Sequence, residues 1–117
     1  MEENINLSIS EEVISTMAER VILSVSGVHA LNGGIMGNFL GKKGAPGIKV
    51  DISGKEIMLD VYVTVDYGTK IPDIAWEIQD RVKKELENMT GMIVTTVNVH
   101  IQGINYDKKE AKTDKEG

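Results

Sequence analysis

A run of strict apolar and polar alternation, Glu56–Val65, constrains the fold of this 117-residue chain more than any other feature. Every second residue is aliphatic, and most of the residues between them are polar. The aliphatic positions are Ile57, Leu59, Val61, Val63 and Val65. A period of two predicts a half-buried strand with its apolar side against a core. A slip of one residue in its pairing would turn that whole side to water, so the register should be unique.

Two helices are predicted around this strand. Apolar residues recur at helical spacing within residues 7–26, where Ser10 is a good N-cap and Gly27 a good C-terminal cap. A second amphipathic helix enters through Thr69–Pro72 and ends at Gly91. Each helix has one apolar side, so each must pack against another element of the fold.

Three further strands complete the predicted order α-β-β-β-α-β. Ile48–Ser53 alternates and returns through a tight turn into Glu56–Val65 as an antiparallel hairpin. Val97–Ile101 also alternates, whereas Val28–Leu31 is a short candidate that leaves open whether it joins the sheet. The prediction is an α+β two-layer sandwich, with two helices on one face of a three- to four-stranded, mostly antiparallel sheet. The polar face of that sheet is left for solvent or a partner.

Length and composition predict a single folded domain over residues 7–104. We expect a flexible arm at residues 1–6 and a charged, disordered tail at residues 105–117, which have few apolar residues to bury. Residues 32–47 hold six of the 12 glycines and predict a mobile loop. Long loops of this kind in compact domains commonly carry binding sites.

Charge and composition exclude several classes of function. The formal net charge is −5, which repels phosphate and argues against binding of nucleic acid or anionic lipid. The chain has no cysteine, so disulfides and thiolate chemistry are excluded. The acidic start and the lack of a long apolar run predict a cytoplasmic protein that does not insert directly into a membrane.

The sequence contains no complete catalytic, cofactor-binding or metal-binding motif. Gly41-Lys42 resembles the end of a phosphate-binding loop, but the other residues of that motif do not match. His29 and His100 could meet across neighbouring strands, yet they do not complete a metal site, so ordinary strand histidines are the favoured interpretation. We expect Trp76 to cover the sheet edge, with an exposed interface anchor as the alternative.

Several motifs together resemble the alkaline shock protein family of Gram-positive bacteria, also described as an envelope stress response family. The similarity covers nearly the whole predicted domain, and its most specific parts are the Tyr-Gly-x-x-Ile-Pro entrance and the Val-Asn-Val-x-Ile-x-Gly ending. The matching segments are Ser24–Val28, Gly47–Val50, Asp60–Gly68, Ile71–Pro72, Met89–Gly91 and Val97–Gly103.

This resemblance implies a non-enzymatic cytoplasmic protein linked to envelope stress, held near the membrane by an anchoring partner and prone to self-association. It implies no small-molecule substrate and no cofactor. Relatives encoded beside lipid-metabolism genes imply an alternative, a regulator of lipid-metabolism genes or enzymes.

The leading hypothesis is therefore a scaffold or adaptor that binds proteins through the polar sheet face and the glycine-rich loop. Its alternative is a nucleic-acid-binding regulator that uses Lys42 and Lys43, with an affinity that falls steeply with salt. The candidate partner-binding residues are Phe39, Leu40, Lys42, Lys43, Met58 and Tyr62.

Overall fold

The computed structural model describes residues 6–32 and 45–106. Most of the predicted arm, of the glycine-rich loop and of the tail lies outside the described residues. Within these described residues the chain forms two helices and four strands, in the predicted order. They are α1 (Glu11–Leu23), β1 (Val28–Leu31), β2 (Ile48–Ser53), β3 (Glu56–Asp66), α2 (Ile71–Thr90) and β4 (Ile93–Asn105).

The strand β3 lies at the centre of the sheet. On one side β4 pairs with it in parallel over its full length, from Glu56 opposite Ile93 to Asp66 opposite Asn105. On the other side β2 pairs antiparallel with its first half and β1 antiparallel with its second half. The predicted α+β fold is confirmed, and the short strand β1 does belong to the sheet.

The strands β1 and β2 meet end to end opposite Tyr62. The backbone N–H of Asn32 donates to the Tyr62 carbonyl at 2.7 Å, and the Tyr62 N–H donates to the Gly47 carbonyl at 2.9 Å. Gly47 has a φ of 82°, and a Cβ there would lie 2.9 Å from the Asn32 nitrogen. Only glycine tolerates both the left-handed backbone and this close approach.

The helix α1 packs over β1 and β2, and α2 packs over β4. Ser10 caps α1 as predicted, because its side chain accepts a hydrogen bond from the Val13 N–H at 3.1 Å. The predicted C-terminal cap was wrong, since Ser24 rather than Gly27 ends the helix. Gly27 instead makes the turn into β1, with a φ of 98° and no room for a Cβ beside Ile74.

The helix α2 ends as predicted at Gly91, which has a φ of 78° and donates its N–H to the Glu87 carbonyl. Pro72 lies in the first turn, where its missing N–H is harmless. The strand β4 is longer than predicted, because it begins at Ile93 and continues through Gly103.

The core lies between the helices and the apolar face of the sheet. The helical spacing of apolar residues also predicts burial of Val13 in α1 and Met89 in α2. Both are exposed instead, since they line the outer groove between α1 and α2. The fully buried large side chains are Ile14, Ile22, Ile57, Leu59, Val61, Val63, Val65, Ile78, Val82 and Leu86.

Truncation of neighbouring residues on opposite faces of β3 tests this burial. Ile57→Ala should lower the free energy of unfolding by about 2–5 kcal/mol, because Ile57 is fully buried and the lost side chain leaves a cavity. Met58→Ala, on the other face, should cost less than about 1 kcal/mol. Urea denaturation of both variants measures the difference, and equal losses would contradict the assignment of the two faces.

The open face of the sheet as candidate binding site

The face of the sheet opposite the helices has no covering element among residues 6–32 and 45–106. We call this surface the open face. Its side chains come from alternate residues of the strands, which is why it collects the polar half of each alternating pattern. The open face consists of Lys49, Asp51, Met58, Asp60, Tyr62, Thr64, Thr96, Asn98 and His100.

Asp60 is the centre of a hydrogen-bonded group on the open face. One carboxylate oxygen lies 3.0 Å from Nε2 of His100 and accepts a hydrogen bond from the Asn98 amide at 3.2 Å. An ionised carboxylate can only accept, so His100 donates through Nε2. Asn98 is directly opposite Asp60, and His100 is the next residue of β4 on the same face.

The same contacts set the acidity of Asp60. The hydrogen bond from His100 lowers the pKa of the Asp60 carboxyl below its ordinary value of 3.8, and partial burial opposes this effect. The Asn98 amide and the charges of His100 and Lys49 also lower the pKa. The carboxylate is therefore held in its ionised form, as a fixed acceptor for the two β4 side chains.

Aromatic stacking extends this group along β3 and β4. The rings of Tyr62 and His100 stack at a centroid distance of 4.4 Å and an angle of 10°. His100 is thereby held from two sides, by the Asp60 carboxylate and by the Tyr62 ring. Both contacts restrict its side chain before any partner arrives, which reduces the entropy lost on binding.

A second polar contact lies at the next position of β3. The Thr64 hydroxyl donates to the Asn32 side-chain oxygen at 2.6 Å, which ties the open face to the end of β1. A Cβ on Gly103 would lie 2.8 Å from that hydroxyl oxygen. Gly103 thus gives the Thr64 side chain the space that it needs for this bond.

The predicted site residues separate into two groups. Met58 and Tyr62 lie on the open face, where Met58 is 44 % exposed and Tyr62 is half-buried by its stack with His100. Phe39, Leu40, Lys42 and Lys43 lie outside the described residues. Their proposed role therefore stays a prediction.

Strand alternation puts Asp60, Asn98 and His100 on one face of the sheet, but it does not show that they form a group. Their contact depends on the register of β3 against β4, which the separate strand patterns do not contain. The idea that His29 could meet His100 was wrong, because β1 and β4 lie on opposite sides of β3. His29 is instead near Asp66, with Nδ1 3.6 Å from a carboxylate oxygen.

The described residues were also compared with the requirements for a metal site and for a membrane-spanning helix. Within residues 6–32 and 45–106, no group of three or more histidine, aspartate or glutamate side chains is arranged to hold a metal ion. His100 and Asp60 supply two donors at one place. In the same part of the chain, neither helix has the length and apolar character needed to cross a bilayer.

The fold and the open face define a small α+β protein in which helices cover one sheet face and no described element covers the other. Residues 1–106 match the model of the alkaline shock protein 23 family, which is described as having a cell envelope-related function. The chain belongs to this family, and the resemblance to alkaline shock proteins is confirmed.

Two relatives illustrate the range of similarity within the family. The chain is 34 % identical to the uncharacterized protein YqhY of Bacillus subtilis, over 94 % of this chain and 86 % of the relative. It is 26 % identical to a Streptococcus pyogenes protein named stress response regulator gls24 homolog, over 84 % of this chain. That match covers 58 % of the relative, which is the longer protein.

Solved structures of low sequence identity share the fold. A MamM CTD variant in its manganese form superposes with a TM-score of 0.57 at 14 % identity, over 80 % of this chain and 99 % of that chain. Another MamM CTD variant gives a TM-score of 0.59 at 13 % identity, over 83 % of this chain and all of that chain. At this identity the likeness concerns the fold alone.

Acid titration tests the environment of Asp60. Its pKa is lower in the folded than in the unfolded chain, so its contribution to stability is complete above about pH 4 and is lost as the pH falls through the folded-state pKa. The native protein should therefore lose more stability than Asp60→Asn between about pH 5 and about pH 3. We expect a difference of at most about 1 kcal/mol, because solvent screens this partly exposed group.

Urea denaturation at a series of pH values measures this difference. Asp51→Asn is the matched control, because Asp51 is exposed on β2 and its carboxylate makes no hydrogen bond or ion pair with a described residue. Identical pH profiles for the native protein and Asp60→Asn would contradict the assigned contacts.

Proposed function

We propose that this protein is a non-enzymatic scaffold or adaptor of the cell envelope, acting near the cytoplasmic membrane through protein–protein contacts made by the open face. The observation that carries the proposal is the ordered Asp60–Asn98–His100–Tyr62 group on a sheet face that no described element covers. The envelope-related function of the family supports the cellular setting.

The composition of the open face suits a protein partner. Met58 offers an exposed, flexible apolar side chain, which adapts to irregular partner surfaces. Tyr62 and His100, further along the same face, offer aromatic area and hydrogen-bonding groups held in fixed positions. Exposed apolar and aromatic groups among fixed polar ones are the usual anchors of protein interfaces.

The open face suits two kinds of protein partner. One is a membrane-anchoring protein, which would hold the chain at the membrane without insertion of its own. The other is a second copy of the chain, in which each open face would contact its equivalent. The resemblance to alkaline shock proteins motivates both, and the same experiment distinguishes them.

Site-directed photo-cross-linking tests the proposal in living cells. A photoreactive amino acid at position 58 lies on the open face, and the same amino acid at position 88 lies on the exposed side of α2 as the matched control. We expect defined adducts from position 58 and not from position 88. Adduct mass then separates a second copy from a membrane protein. Equal labelling at both positions, or none at position 58, would refute the proposal.

The loop prediction is tested with the same read-out. Joint replacement of Phe39, Leu40, Lys42 and Lys43 by serine should weaken the adduct from position 58, and it should leave the melting temperature unchanged. Unchanged adduct yield would remove the loop from the proposed surface, while the open face would stand.

A further inference from the structure

The outer edge of β4 is a second surface, separate from the open face. Among the described residues β4 pairs only with β3, so its other edge carries main-chain groups that no strand satisfies. From Ile93 to Asn105 the strand has no lysine, arginine, aspartate, glutamate or proline. Natural edge strands are usually protected from pairing by such residues.

The first part of this edge is covered by side chains of α2. Glu87 accepts a hydrogen bond from the Val94 N–H at 2.9 Å, and Lys83 donates to the Val94 carbonyl at 3.2 Å. Gln79 donates to the Val97 carbonyl at 3.1 Å. These three residues follow at intervals of four, so they form one ridge along the helix.

The next position of the same ridge is Ala75, which has no polar group to offer. The contacts of Lys83 with Val94 and of Gln79 with Val97 show that α2 runs antiparallel to β4. Four helix residues rise about 6 Å, which equals about two strand residues. Ala75 therefore lies beside Val99, where the row of covering side chains stops.

No side chain of the described residues covers Val99–Ile104 of β4, and we call this segment the open edge. The Val97 carbonyl points outward to Gln79, and alternate residues of a strand point to the same edge, so the main-chain groups of Val99 and Ile101 also point outward. No hydrogen bond from a described side chain reaches them. An extended chain is the ligand that satisfies such a row of groups.

Exposed aromatic side chains flank the open edge. Trp76 is 62 % exposed and adjoins Gln79 on the helix surface, since the two are three residues apart. At the far end Tyr67 and Tyr106 form an exposed pair with ring centroids 5.0 Å apart. Tryptophan and tyrosine are the commonest anchors of protein interfaces.

We propose that the open edge binds an extended, uncharged segment of a partner protein, which adds to the sheet as a fifth strand beside β4. Alternate side chains of the segment are apolar and lie next to Val99 and Ile101 on the helix side. The residues between them are polar and lie next to Asn98 and His100. This inference does not depend on the function proposed for the open face.

The lack of charge along this strand defines the chemistry of the occupant. Because Val99–Ile104 has no lysine, arginine, aspartate or glutamate, a charged segment would lose hydration here without gaining an ion pair with β4. A segment that alternates between apolar and polar residues matches both faces of β4. A second copy of the chain is the alternative occupant, and light scattering distinguishes it below.

Binding of a synthetic strand tests the proposal. The probe is a fluorescent peptide of alternating valine and threonine, about eight residues long, with a short glycine–serine tail. Two further peptides carry backbone N-methyl groups, one on its valines and the other on its threonines. Because alternate residues of a strand point to opposite edges, each peptide loses the hydrogen-bond donors of one edge only. Fluorescence anisotropy measures the affinity of each peptide. We expect one methylated peptide to bind like the parent peptide and the other to bind at least about tenfold more weakly.

A polar side chain at position 75, which would continue the ridge of Gln79, Lys83 and Glu87, tests the position of the site. Ala75→Gln places an amide beside Val99 and should lower the affinity for the parent peptide at least about tenfold. Asn88→Gln, on the exposed side of the same helix, is the matched control and should bind like the native protein. Melting temperatures of both variants verify that they are folded.

Several outcomes would overturn the proposal. Equal binding of the two methylated peptides, or no binding of the parent peptide, would exclude strand addition. Unchanged affinity of Ala75→Gln would place the peptide elsewhere. If Ala75→Gln halved the mass of the free protein in light scattering, the edge would hold a second copy instead. None of these results alters the cross-linking test of the open face.

Discussion

The placement of β3 is the constraint on which the rest of the structure depends. It is hydrogen-bonded on both edges, to β4 on one side and to β2 and β1 on the other, and its five aliphatic side chains are fully buried under the helices. Both helices pack against the apolar face of the sheet, and β3 fixes the plane of that sheet. Its alternation also decides which side chains face away from the helices, and so it creates the open face as well as the core.

Much of the architecture could be predicted because it is encoded locally. The hairpin from β2 to β3 follows from two alternating runs and the turn at Gly54, and the end of α2 follows from a glycine in the left-handed conformation at Gly91. The end of α1 was misplaced, since a helix can stop several residues before the glycine of its following turn. The exposure of Val13 and Met89 depends on how closely the two helices pack, which neither helix pattern contains.

The candidate site was less predictable than the fold. Met58 and Tyr62 could be assigned to a polar sheet face from alternation alone. The group centred on Asp60 could not, because Asp60 and His100 are forty residues apart in sequence and meet only through the parallel register of β3 and β4. The open edge was equally hidden, because it depends on which side chains of α2 reach β4 and on Ala75 being too short to do so.

The meeting of β1 and β2 at Tyr62 has a consequence for how relatives of this chain can diverge. Residues 33–44 leave and return at two neighbouring points of one sheet edge, since Asn32 and Gly47 both bond to the backbone of Tyr62. A segment anchored in this way can gain or lose residues without shifting any strand. Relatives can therefore differ in this segment while the paired strands persist as a common platform.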